Sequence, residues 1–143
     1  MTSSGVGLGF TWKVFREYTI LGNYNYATFS IDDLVEPDFR AGFNTPQHKF
    51  NIGLSNRKVI DNFGFNINFR WQDTFLWEST FGIWNVPEFG VLDAQINYKI
   101  SSIKTIVKLG GTNLFGGDYR TNLGAPFVGQ QYYISLTFDE FLN

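Results

Sequence analysis

In the segment FGFNINFRWQD, residues 63–73, every second residue is apolar. Phe63, Phe65, Ile67, Phe69 and Trp71 alternate with Gly64, Asn66, Asn68, Arg70 and Gln72. An amphipathic helix repeats near 3.6 residues, so a strict period of two predicts a strand with one greasy face and one wet face. The same alternation recurs over 5–14, 18–28, 49–56, 92–100, 105–113 and 131–138, with Leu21 and Ile106 out of place. These seven segments mostly approach the ~9–11 residues of a tilted membrane strand. The expected fold class is therefore all-β.

Composition narrows the media those faces can meet. The 143 residues suffice for one ordinary domain. Aromatics make up 19% and charged residues only 17%, against about a quarter charged in an ordinary soluble domain. No run reaches the ~18–20 apolar residues of a spanning helix, and the 15 glycines argue against a helical bundle. The net charge is −2 and no basic stretch stands out, so nucleic acid is not an expected partner. Cysteine is absent, which removes disulfides and thiolate metal sites. The first ten residues lack a basic region and a long apolar core, so an export signal is expected outside this sequence.

The links between the segments alternate in length. Short ones fall at 15–17, 57–62 and 101–104; long ones fall at 31–47, 74–90 and 113–130 and hold all four prolines. Short turns on one side and long loops on the other characterise outer-membrane barrels. Within the greasy face, Trp71, Tyr26 and Tyr132 sit at long-loop ends, and Trp12, Tyr18, Phe63, Tyr98 and Phe138 sit at short-turn ends. Ile20, Ile52, Ile67, Ile96, Val107 and Ile134 lie between them. Two aromatic belts around an aliphatic band suit a bilayer with two interfaces. The competing reading is a soluble lipocalin-like ligand-binding barrel with its greasy face inward. Its outer face should be rich in Lys and Glu, whereas the wet face here is Asn, Gly, Gln, Ser and Thr.

The stretches FNTPQHKFN, FRWQDTFLWES, LDAQINYKI, VKLGGTNLF and YYISLTFDEFLN, in this order, resemble the C-terminal end of TonB-dependent outer-membrane receptors, above all the Bacteroidetes type. The resemblance covers residues 42–143 well and the first forty more loosely. It implies a 22-stranded barrel in the outer membrane, occluded by a plug domain, that imports siderophore-bound iron, cobalamin or oligosaccharide. The implied partners are outer-membrane lipid, the remaining barrel strands and plug, the TonB complex reached through that plug, and a surface lipoprotein. Residues 1–143 leave no room for plug or early barrel, so the expectation is the C-terminal part of a transmembrane β-barrel, an antiparallel up-and-down meander. The strand count agrees: single-chain bacterial barrels have even numbers, and seven cannot close alone. The rival is a complete eight-stranded outer-membrane barrel with a structural or adhesion role, its eighth strand drawn from 74–84.

Residues that could carry chemistry are few. No Ser-His-Asp grouping or carboxylate pair stands out, so no enzyme is expected. His48 has no second His or Cys nearby, so no metal site and no cofactor are expected. Asp32, Asp33, Glu36 and Asp38 could bind calcium, but their spacing is not that of an EF-hand. The glycines of GVGLG alternate within a strand instead of opening a helix, so they predict room at the wet face rather than a phosphate loop. Ligand contact is expected from Asp118, Tyr119 and Arg120 in the 113–130 loop, with Arg70 and Asp93 on the lumen face; the alternative is that the loop residues fold their own loop. If Asp73 pairs with Gly90, Arg70 falls opposite Asp93, Asn68 opposite Gln95 and Asn66 opposite Asn97, each polar side chain meeting another. Last, Ile134, Leu136 and Phe138 resemble the alternating signal by which final barrel strands are recognised for assembly, and Phe141 is a second candidate for its aromatic end.

Overall fold

The computed structural model describes residues 1–31 and 40–138. Seven strands form one antiparallel sheet: β1 (Thr2–Lys13), β2 (Tyr18–Ser30), β3 (His48–Ile60), β4 (Phe63–Gln72), β7 (Phe89–Ile100), β8 (Thr105–Thr112) and β9 (Gln131–Phe138). Their spatial order is their chain order, β1-β2-β3-β4-β7-β8-β9, a meander that does not close. The segment expected to be plain loop or an eighth wall strand is neither. Phe75–Ser79 (β5) and Gly82–Val86 (β6) form a separate two-stranded hairpin within the 74–90 connection. The alternation of short turns and long connections therefore survives.

Among the described residues the greasy face is largely uncovered, with Phe115 of the last long connection edge-on to Phe69 as an exception. Leu8 is 66% exposed and Ile134 is 68% exposed, and only Val86 and Val91 are fully buried apolar residues among those described. A chain with 43% hydrophobic residues that forms almost no core is displaying its apolar side chains outward.

Register shows how the strands lie. The row of cross-strand partners Trp12, Ile20, Leu54, Ile67, Ala94 and Gly111 crosses six strands. It starts one residue from the turn end of β1 and finishes six residues from the turn end of β8. That net slide, about one residue (~3.3 Å) per interstrand spacing of ~4.8 Å, tilts the strands by about 35°, the lower end of the range for membrane barrels.

The second short link is tighter than the expected 57–62. β3 runs on to Ile60, the turn is Asp61–Asn62, and a bulge lies between Asn56 and Ile60. Buried Asn56 holds the bulge: its Nδ2 donates to the Arg16 carbonyl at 2.8 Å and its Oδ1 accepts the Lys58 N–H at 2.7 Å. Gly64 makes room for it, since a Cβ there would stand 2.7 Å from the Arg57 carbonyl oxygen and 2.8 Å from that of Asn56. Gly110 serves Tyr133 in the same way. A Cβ would collide with that ring, which lies across β8 so that its hydroxyl donates to Gln95 Oε1 on β7 at 2.9 Å.

Candidate ligand-binding site at the long-loop end

β4 and β7 are neighbours, as expected, but two residues out of the expected register. Arg70 faces Val91, Asn68 faces Asp93, Asn66 faces Gln95 and Gly64 faces Asn97. A slide of two keeps every side chain on its face, so the pleat cannot veto it. The charge pair still forms, because the long Arg70 side chain reaches diagonally: Nη1 lies 3.4 Å from Asp93 Oδ2.

That pair joins a network with the 113–130 connection. Arg70 Nη2 donates to the Tyr119 hydroxyl at 3.1 Å, and the Tyr119 ring stacks on Phe89 with centroids 4.4 Å apart. Asp93 Oδ1 accepts the Asn113 backbone N–H at 3.0 Å. Asn113 is buried, and its Nδ2 donates to the carbonyls of Gly117 and Val128. Backbone bonds in both directions link Tyr119 and Val128. The loop is thus seated on the wet face where that face turns apolar, at Phe89 and the fully buried Val91.

Of the five expected contact residues, Arg70, Asp93 and Tyr119 come together; Arg120 and Asp118 do not join them. The Arg120 guanidinium lies over the Trp84 ring at 4.2 Å and over the Phe127 ring at 4.7 Å, which ties the loop to β6. Asp118 lies against Gly129 inside its own loop. The hairpin also holds the first long connection. Asn44 exchanges hydrogen bonds with the Glu78 backbone, Gly42 N–H donates to the Glu78 carboxylate, and Arg40 donates to the Ser79 carbonyl. All three long connections therefore meet at β5–β6, an arrangement that carries no periodic signal in the sequence.

Beside the network lies a hollow of about 320 Å³ lined by Asn23, Asn25, Lys49, Asn51, Arg70 and Gln72. Asn51 Oδ1 is buried there without a hydrogen-bond partner among the described residues. Amides, a partly neutralised guanidinium and a tyrosine suit recognition of a polar solute. His48 lies elsewhere, on the greasy face between Tyr24 and Tyr26, with its Nδ1 2.7 Å from the Tyr24 hydroxyl. Ile134, Leu136 and Phe138 are exposed along β9; Phe141 and the acidic group Asp32, Asp33, Glu36 and Asp38 lie outside the described residues.

One comparison bears on the fold. A chain in the structure of the FpvAI–pyocin S2 complex matches 94% of this chain with a TM-score of 0.75. That neighbour is a TonB-dependent receptor. At 16% identity the likeness is one of fold, and this chain spans only 18% of the neighbour's length. No family model and no curated protein matches the sequence.

Proposed function

We propose that the chain is the C-terminal wall of a TonB-dependent outer-membrane receptor that imports a nutrient such as siderophore-bound iron, cobalamin or an oligosaccharide. In this reading it contributes seven strands and three extracellular loops, and no catalysis. One observation carries the proposal: the sheet is a tilted meander with two open edges, and it matches less than a fifth of a receptor chain. β1 and β9 run in the same direction, because five reversals plus the pairing of β4 with β7 separate them. Antiparallel closure therefore requires an odd number of further strands between them. Left open in hydrocarbon, each unpaired backbone group costs several kcal/mol. The partners in this reading are outer-membrane lipid on the greasy face, the remaining strands at both edges, a plug beside the wet face, the TonB complex through that plug, and a surface lipoprotein over the loops.

The test is the behaviour of residues 1–143 purified into detergent. Edge pairing predicts aggregates or mixed assemblies of several chains. A monodisperse monomer with heat-modifiable gel migration would refute the proposal in favour of a small closed barrel. Solubility without detergent would favour the lipocalin-like alternative.

A further inference from the structure

The net charge of −2 conceals a segregation made by the fold. In the seven-stranded sheet the charged residues are Lys13, Lys49, Arg57, Lys58, Arg70, Lys99 and Lys108, against one acid, Asp93. Cations scattered along the sequence are gathered by strand pairing. Arg70 is matched by Asp93 and Lys58 by Asp61 at 3.0 Å. Arg57, Lys99 and Lys108 have no ion-pair partner among the described residues, and all three line one cavity of about 980 Å³ at the short-turn end of the wet face, together with the Lys58–Asp61 pair, whose carboxylate is matched by its own lysine.

These cations are crowded. Lys108 is opposite Asn97 and Lys99 is opposite Ile106, which makes the two lysines diagonal neighbours on one face. Like charges at that spacing repel unless an anion lies between them. The cavity also offers neutral donors, the amides of Asn66, Asn97 and Gln95. Gln95 is specifically set up to donate: its oxygen is taken by the Tyr133 hydroxyl, which leaves its two N–H groups. Three unmatched cations and several amide donors within one concavity, at the upper end of the ~300–1,000 Å³ of small-molecule sites, form a cradle for several oxygens.

We propose that this turn-end cavity binds a small multivalent oxyanion, phosphate- or carboxylate-bearing. It is separate from the loop-end network and requires only the wet face to be accessible, so it stands apart from the membrane reading. Sodium tripolyphosphate and citrate, each titrated calorimetrically into the full chain in detergent micelles at low salt, test it. Binding is expressed per chain whatever the assembly state. Lys99→Gln with Lys108→Gln should weaken binding at least tenfold, and Lys13→Gln, on the edge strand and outside this cavity's lining, should leave it unchanged. Tighter tripolyphosphate would identify the phosphate-bearing class and tighter citrate the carboxylate class. Absence of binding by either probe at millimolar concentration would overturn the proposal. So would an equal loss in Lys13→Gln, which means general charge attraction. A twelve-residue polyglutamate peptide binding more tightly than both probes, with the same lysine dependence, would overturn it in favour of an acidic polypeptide.

Discussion

Replacing Arg120 by alanine should loosen the long loops without touching the wall. Its guanidinium carbon stands 4.2 Å from the Trp84 ring and 4.7 Å from the Phe127 ring. Two partly desolvated contacts of this kind amount to about 2 kcal/mol together. Against them, Arg120 Nε is buried with no hydrogen-bond partner among the described residues, a penalty of about 1 kcal/mol that alanine removes. The net loss is about 1 kcal/mol, or roughly a fivefold rise in the fraction of time the loop is open. Hydrogen exchange of the Tyr119 and Val128 amides reads this opening, because each bonds the other's carbonyl. Both should exchange about fivefold faster, while the Ile67 and Ala94 amides in the wall keep their rates. Unchanged exchange at Tyr119 and Val128 would show that the loop does not lean on Arg120. Equal acceleration in the wall would show that the loops and the sheet open together, which also refutes the argument.

Three further outcomes are expected. Gly64→Val places a methyl-bearing carbon against two backbone carbonyls that cannot yield, so the urea midpoint of unfolding should fall by an amount equivalent to about 1–3 kcal/mol. Ile67→Lys should cost about 2–4 kcal/mol for folding into lipid, and a spin label at position 67 should be relaxed by lipid-dissolved oxygen and not by a water-soluble nickel reagent. If the chain is the barrel wall proposed above, Phe138→Ala or Phe141→Ala in the full-length protein should lower the amount assembled in the outer membrane, measured by surface labelling; unchanged labelling in both would remove the assembly role from each.

The wall was legible because sorting apolar and polar side chains onto opposite faces forces a period of two on every strand, and that period survives in Phe63–Trp71 or Leu92–Ile100 read alone. Register was less legible. Opposing Arg70 to Asp93 satisfied the charges, yet a six-bond arginine side chain meets the same carboxylate from a diagonal position, so charge matching cannot tell the two registers apart. The bulge after Asn56 was hidden for a related reason: its determinants, Asn56, Arg57 and Gly64, act through backbone geometry rather than hydrophobic pattern. The β5–β6 hairpin left no periodic trace because its five-residue strands pair only Trp77 with Trp84 and a few flanking residues. What fixes it comes from distant segments, Asn44 on one side and Arg120 on the other. The candidate site was half legible. Arg70, Asp93 and Tyr119 meet as their polarity suggests, whereas Arg120 spends its charge on rings that no spacing rule connects to it.

The slide of the strands turns the sheet into a depth gauge. Because the hydrogen-bonded row of partners climbs across the sheet, it starts at Trp12 beside the turn end of β1 and finishes at Gly111, one residue from the long-loop end of β8. One reporter carried along that row would sample the surrounding medium from near one rim to near the other, with no change of facing. A bilayer would return a profile that rises and falls once; bulk water or a protein partner would not.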